Sequence, residues 1–168
     1  MHQVDKRIEE ARRILSSSGS ILREDREIDL LVSQYRNAIE KTRRTMEQEG
    51  ISRVCALCDR TSRGGCCYQG VEEWYDWTLL AVNILLGSDI PATREIPGAC
   101  LFVGHRGCRL VARHAFCVNF FCPDLTSRLN GEPRSRFDRA AGEELLCGLR
   151  LEHFLRLRVA SIGSARHP

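Results

Sequence analysis

The sequence predicts a mainly α protein: a small helical domain with an irregular cysteine-rich metal-binding centre, preceded by an N-terminal helical hairpin. Three observations carry this expectation. Residues 3–15, 20–49 and 136–160 read as helices, the first two from apolar side chains at helical spacing. Eight of the nine cysteines fall between Cys55 and Cys122, among glycines and turns. No strand-rich stretch is present to build a sizeable sheet. At 168 residues, with 43% hydrophobic and 28% charged side chains, the chain is long enough for one domain with a real core. The expected divisions are a hairpin over 1–50, a cysteine-rich domain over 51–162 and a loose tail over 163–168.

The first helix offers Val4, Ile8, Ala11 and Leu15 on one side. SSSGS at 16–20 is expected to break it. In the second helix Ile21, Ile28, Tyr35 and Thr42 repeat every seven residues, and Asp25, Val32, Ile39 and Met46 form a second row. This imperfect heptad seam predicts that the hairpin docks on the rest of the chain. Its sharper alternative is pairing with another protein or self-association. Gly50 supplies the helix stop.

Residues 51–70 read as a compact cysteine loop, followed by a helix over 71–86, VEEWYDWTLLAVNILL. Glu72, Glu73 and Asp76 lie near its start, where the helix dipole favours anions. Apolar residues occupy most of its sides, so it is expected to be buried, with Trp74 and Trp77 as core residues. Pro91, Pro97 and Gly98 mark an irregular loop. CLFV, from Cys100, suggests a short strand, and RLVARHAFCVNFF a helix turn or two. NGEPRS at 130–135 reads as a turn, and Ser135 with Asp138 as the capping signal of the last helix.

Compartment decides how the cysteines are read. MHQVDKRIEEARRIL is charged throughout and lacks the apolar run of a secretory signal. WTLLAVNILLG, the longest apolar run, is too short to cross a bilayer. A reducing cytoplasm is therefore expected, where nine cysteines, an odd number, read as metal ligands or redox groups before disulfides. The formal net charge of +3, with ten basic and ten acidic residues in the first 50, argues against a nucleic-acid grip.

Cys55 and Cys58 have the spacing that lets two thiolates bend back onto one metal from a tight loop. The same spacing serves a redox dithiol, but the strand–helix setting of such a site is missing. Cys66 and Cys67 are adjacent. Successive side chains diverge, so this pair suits a multi-metal centre or neighbouring sites better than one tetrahedral ion. Gly64 and Gly65 remove side chains where the backbone must pass close to a metal. The second group is Cys100, Cys108, Cys117 and Cys122, with an apolar pocket expected from Phe102, Val103, Phe116, Val118, Phe120 and Phe121. His105 and His114 read as polar surface residues before they read as nitrogen donors. Cys147, within the last helix, reads as a free buried thiol that packs as a small hydrophobe.

The ordered set resembles a known family, the cysteine-rich zinc- or iron-chelating proteins of YkgJ type (CxxCxxCC). Its paired-cysteine loop matches Cys55, Cys58, Cys66 and Cys67. Its C-x-F element matches Cys100 and Phe102, and G-C-x-[IL] matches Gly107, Cys108, Arg109 and Leu110. Its Arg-x3-Cys matches Arg113 through Cys117. The likeness covers roughly residues 53–123. Seven residues separate Cys58 from Cys66 where the family usually has two, and His114 stands where it usually has proline.

The expected function is iron–sulfur cluster binding, 4Fe–4S in type, in electron transfer or another redox role. Cys55, Cys58, Cys66, Cys67, Cys100, Cys108, Cys117 and Cys122 are the candidate ligands, four of them for one cluster. The others would bind a second centre or act as redox thiols. The alternative is zinc in a structural, protein-interaction module. The resemblance also implies a third, an accessory domain of a protein methyltransferase.

Overall fold

The computed structural model describes residues 3–59 and 65–165. Seven α-helices among them are α1 (Gln3–Glu24), α2 (Arg26–Gln48), α3 (Ile51–Asp59), α4 (Trp77–Leu85), α5 (Ala115–Asn119), α6 (Pro123–Arg128) and α7 (Gly131–Ala165). One two-stranded ribbon joins β1 (Val103–Gly104) to β2 (Gly107–Cys108). The mainly helical class and the hairpin-like pairing of α1 with α2 are as the sequence predicts.

The predicted break at SSSGS does not occur. Ile14, Ser18 and Leu22 continue the buried stripe that begins at Val4 and Ile8, and Gly19 is buried beside them. Ser16 and Ser17 return their hydroxyls to the carbonyls of Arg12 and Ile14, so neither competes with the helix from outside. The chain turns instead at Asp25. Its carboxylate accepts from the amides of Glu27 at 3.0 Å and Ile28 at 3.3 Å, which caps α2. Its other oxygen takes the Arg158 guanidinium of α7 at 2.6 Å. A residue of the expected seam is thus a cap and a clasp.

From Ile28 onward the seam packs inside the chain, whereas Ile21, its expected first position, falls on α1 and is exposed. Ile28, Tyr35, Ala38, Ile39 and Thr42 are buried on α2. They meet the stripe Phe137, Ala140, Ala141, Glu144, Leu151 and Leu155 of α7, whose spacing keeps one face toward α2 along the shared length. Thr42 donates its hydroxyl to the Ala140 carbonyl at 3.1 Å, across the two helices. Gly148 marks the closest approach. A Cβ there would stand 2.9 Å from the Tyr35 ring and hydroxyl.

α7 is longer than expected at both ends. Pro133 sits in its first turn, where a missing amide costs nothing, so NGEPRS opens the helix instead of preceding it. Ser135 lies inside and donates to the Gly131 carbonyl. The helix also runs past Gly163 to Ala165, into the expected tail; residues 166–168 lie outside the described residues.

The expected helix over 71–86 is two pieces. Val71–Trp74 is a single 3-10 turn, Tyr75 and Asp76 are extended, and Asp76 caps α4 by accepting from the Leu79 amide at 2.9 Å. The split turns Trp74 outward, 42% exposed, so it is not a core residue; Trp77 does pack against the core. Glu72 does not serve a helix dipole. It is buried and ion-paired with Arg94 at 2.5 Å, and Arg94 also donates to the Ala99 carbonyl. That clasp pins the irregular loop before Cys100.

The expected loop over 51–70 is helical in its first half. Cys55 and Cys58 therefore stand one turn apart on α3 rather than on a tight loop. Two apolar clusters complete the fold. The larger joins α1, α2, α4 and α7 around Leu80, Phe102 and Leu110; the smaller gathers Ile51, Val118, Leu125, Leu129 and Phe137. Among the described residues no helix is long and apolar enough to cross a membrane.

Candidate metal centre

Three short segments bring thiols together. Residues 67–69 lie against 98–100: the Gln69 amide donates to Gly98 at 2.9 Å, the Cys100 amide to Cys67 at 2.8 Å, and Tyr68 bridges Ala99. The β1–β2 ribbon, in register Val103 with Cys108, folds the chain back so that the Arg109 amide reaches Phe102 at 2.8 Å. Gly107 makes that reversal with φ 98°, a left-handed value that other residues rarely adopt. At Gly104 a Cβ would sit 2.6 Å from the Glu95 carboxylate, so a larger residue there would displace the side chain that receives the His105 amide.

The third segment, 110–117, is held by Asn83, a residue with no assigned role in the sequence reading. Its buried amide donates to the Ala112 carbonyl and accepts from the Ala112 amide, both at 2.9 Å. Arg43 of α2 adds bonds to the carbonyls of Leu110 and Val111. The segment then enters α5, where His114 Nδ1 accepts from the Phe116 amide. With that nitrogen accepting, the imidazole proton sits on Nε2.

Tyr75 links the segments. Its ring packs edge-on against Phe102, and its hydroxyl accepts from the His114 amide at 2.9 Å. The same hydroxyl donates to the Cys117 sulfur at 3.9 Å. Burial raises the phenol's pKa, so Tyr75 stays a neutral donor.

The thiols feel one another. Cys67 is raised by its bond to Cys66 and by burial, with Cys117 and Cys108 adding charge. Burial pushes Cys100 up to about 12, and Cys108 and Cys117 contribute. Burial pushes Cys117 up to about 11, against the Tyr75 bond and with Cys108 and Cys66 in reach. Cys108 carries exposed surface on the ribbon, yet protein packed around its sulfur raises it, while Arg113, Arg43 and Arg109 pull the other way. At neutral pH these groups are thiols, and a cation that binds their thiolates would displace protons.

Of the eight predicted ligands, Cys66, Cys67, Cys100, Cys108 and Cys117 thus share one electrostatic neighbourhood. Cys122 lies elsewhere: it precedes α6 and packs on the smaller cluster with Phe121. Cys55 is exposed on α3. The Cys58 side chain and Gly64 fall outside the described residues. Among the described residues no three Cys, His, Asp or Glu side chains are close enough to hold one metal ion. Cys147 is half-buried in α7 beside the larger cluster, apart from the group.

The expected aromatic pocket is divided. Phe102 and Val103 belong to the larger cluster, and Val118 and Phe121 to the smaller. Phe116 stacks between Trp74 and Phe120, at 4.7 and 4.8 Å, and these three cover the outer side of α5. Trp74 is therefore the wall residue that the sequence reading assigned to the core. His105 is exposed as expected, near Glu95; His114 is half-buried, and burial lowers its pKa. No protein-family model, curated protein or solved structure matches the chain, so the family resemblance rests on the residue pattern alone.

Proposed function

We propose that this protein binds an iron–sulfur cluster of 4Fe–4S type and serves an electron-transfer or redox role. The supporting observation is the gathering of Cys66, Cys67, Cys100, Cys108 and Cys117 from three separate segments into mutual electrostatic reach. This donor set is all sulfur and is drawn from separate segments that the Cys67–Cys100 backbone bond and the β1–β2 ribbon hold together. Such a set suits a larger cage better than a closed tetrahedral shell. When bound, the cluster would supply one-electron chemistry. The ligands would come from these five cysteines.

The surrounding residues have defined parts in that reading. Tyr75 would keep donating to Cys117 and so favour its thiolate. Arg43, Arg109 and Arg113 would offset the negative charge gathered at Cys108. Phe102 and the Trp74–Phe116–Phe120 stack would limit water. A cytoplasmic setting, and a partner protein met through the exposed side of the hairpin, where Ile21 and Leu30 lie open, belong to the same proposal.

Anaerobic purification followed by iron, zinc and acid-labile sulfide analysis tests it. The expected protein is brown and bleaches on reduction or in air. Cys67→Ser or Cys117→Ser should strip the colour, and Cys147→Ser should not. A colourless, oxygen-indifferent protein with stoichiometric zinc and no sulfide would assign the cysteines to a structural zinc module.

A further inference from the structure

A cleft of about 340 Å³ lies between α7 and the segment 113–115. Its size is within the range of small-ligand sites. Trp74, Leu79, Leu145 and Leu149 form its apolar walls, and Tyr35 lies at its base over Gly148. Four polar side chains converge on it: Asp76, Arg113, His114 and Glu152.

Their charges do not cancel in place. Asp76 is engaged already, by the Leu79 amide and by Arg156. Arg113 is not. Its buried Nε has no partner, and among the described residues its guanidinium finds one acceptor, the Met46 thioether at 3.4 Å. A half-buried guanidinium is matched by a planar oxyanion, and a thioether is a weak substitute. Glu144 lies within electrostatic range of Arg113 without bonding it, and burial raises its carboxyl's pKa against Thr42, Arg113 and Arg43. His114 lines the same side with its proton on Nε2. The cleft therefore offers a guanidinium with an unmet N–H, a neutral N–H donor and apolar walls.

We propose that this cleft binds a small organic carboxylate with an apolar body, its carboxylate on Arg113 with His114 as second donor and its body along Trp74 and Leu149. Arg113 also lies within electrostatic range of Cys108 and Cys117, so iron and sulfide content is measured on each variant to keep a loss at the thiols distinct from a loss in the cleft. Glu152 gives it a direction with pH. The groups facing Glu152 are Asp76 at the start of α4, Arg156 one turn along α7, Tyr35 of α2, and Arg113 and His114. Burial and then the Asp76 charge push Glu152 up to about 7, against Arg156. As pH falls through that value the carboxylate becomes a neutral donor, and repulsion of an anionic ligand disappears.

The test uses the full chain with Trp77→Phe, leaving Trp74 as the fluorescent reporter, and three probes: 3-phenylpropanoate, 3-phenylpropanamide and 3-phenylpropylamine. The acid should quench saturably, about tenfold more tightly than the amide, the size of one charge-assisted hydrogen bond. Arg113→Gln should remove that preference. Leu149→Glu, at the exposed wall along which the body lies, should weaken both, and the acid about tenfold more than the amide. Acid binding should tighten as pH falls through 7, and Glu152→Gln should flatten that profile. Equal or tighter binding of the amide or the amine, a preference that survives Arg113→Gln, or no saturable quenching at millimolar probe would overturn the proposal.

Discussion

The α2–α7 layer and the segment 65–122 hold themselves together by different means. The helical layer is ordered by apolar stripes facing one another, with Tyr35, Ile39, Leu151 and Leu155 nearly inaccessible to water. The cysteine segment has little regular structure. Beyond α4 and the buried anchors Phe102 and Leu110, which share the larger apolar cluster, it is held by single polar clasps: Asn83 on Ala112, Tyr75 on His114, and Arg94 on Glu72 and Ala99. Burial stabilises in proportion to area and tolerates small shifts, whereas each clasp works only while donor and acceptor stay in place. The first kind of region makes a frame. The second places five thiols, and in our reading it is completed by what those thiols bind.

If the thiols hold the metal centre proposed above, the sharpest way to break this contrast is to remove it. Hydrogen exchange on the reduced, chelator-treated protein should lose protection across 65–122 while amides of α2 and α7 remain protected. Metal-thiolate sites commonly supply most of the folding free energy of the loops they close, so the loss should be large. Uniform loss of protection in both regions would show one cooperative unit and erase the distinction.

A smaller effect is expected from the frame itself. Tyr35→Ala removes a buried ring that fits over Gly148, and it should cost about 3–5 kcal/mol. Chemical denaturation of the metal-loaded protein measures it. Trp74→Ala, at a partly exposed wall, should cost much less; equal costs would mean that the wall is as structural as the frame.

The smallest predicted effect is a pH dependence seated where the two regions meet. The folded state holds a proton on Glu152 up to about pH 7, while an unfolded chain releases it near 4.5. Between those values the folded state binds more protons, so this group's contribution to stability falls as pH rises and is flat above about 7. Glu152→Gln should remove that slope from denaturation midpoints measured across the window. An unchanged slope would place the titration elsewhere.

Much of the frame was legible because helical periodicity is local. Val4, Ile8 and Ala11, and then Ile28, Tyr35, Ile39 and Thr42, name their buried faces through spacing alone. The errors lie where local signals compete. SSSGS resembles a break, but Ser18 and Gly19 extend the stripe between Ile14 and Leu22. Asp25 and Asp76 were visible as capping residue types, yet the first was absorbed into a heptad row and the second into a helix interior. Read as caps, they would have placed both turns correctly and moved Trp74 to the surface.

The sequence by itself determined the class of the fold, the seam of α2 and the concentration of thiols, since composition and spacing are properties of neighbouring residues. Long-range packing alone brings Cys66, Cys67, Cys100, Cys108 and Cys117 within electrostatic reach of one another while Cys122 packs elsewhere. It also chose Tyr75 as the hydroxyl at Cys117 and left Arg113 with a thioether as its acceptor. The physical reason is range. The Tyr75–His114 and Asn83–Ala112 bonds join residues 39 and 29 positions apart, and no periodicity in either segment encodes the other's place in space.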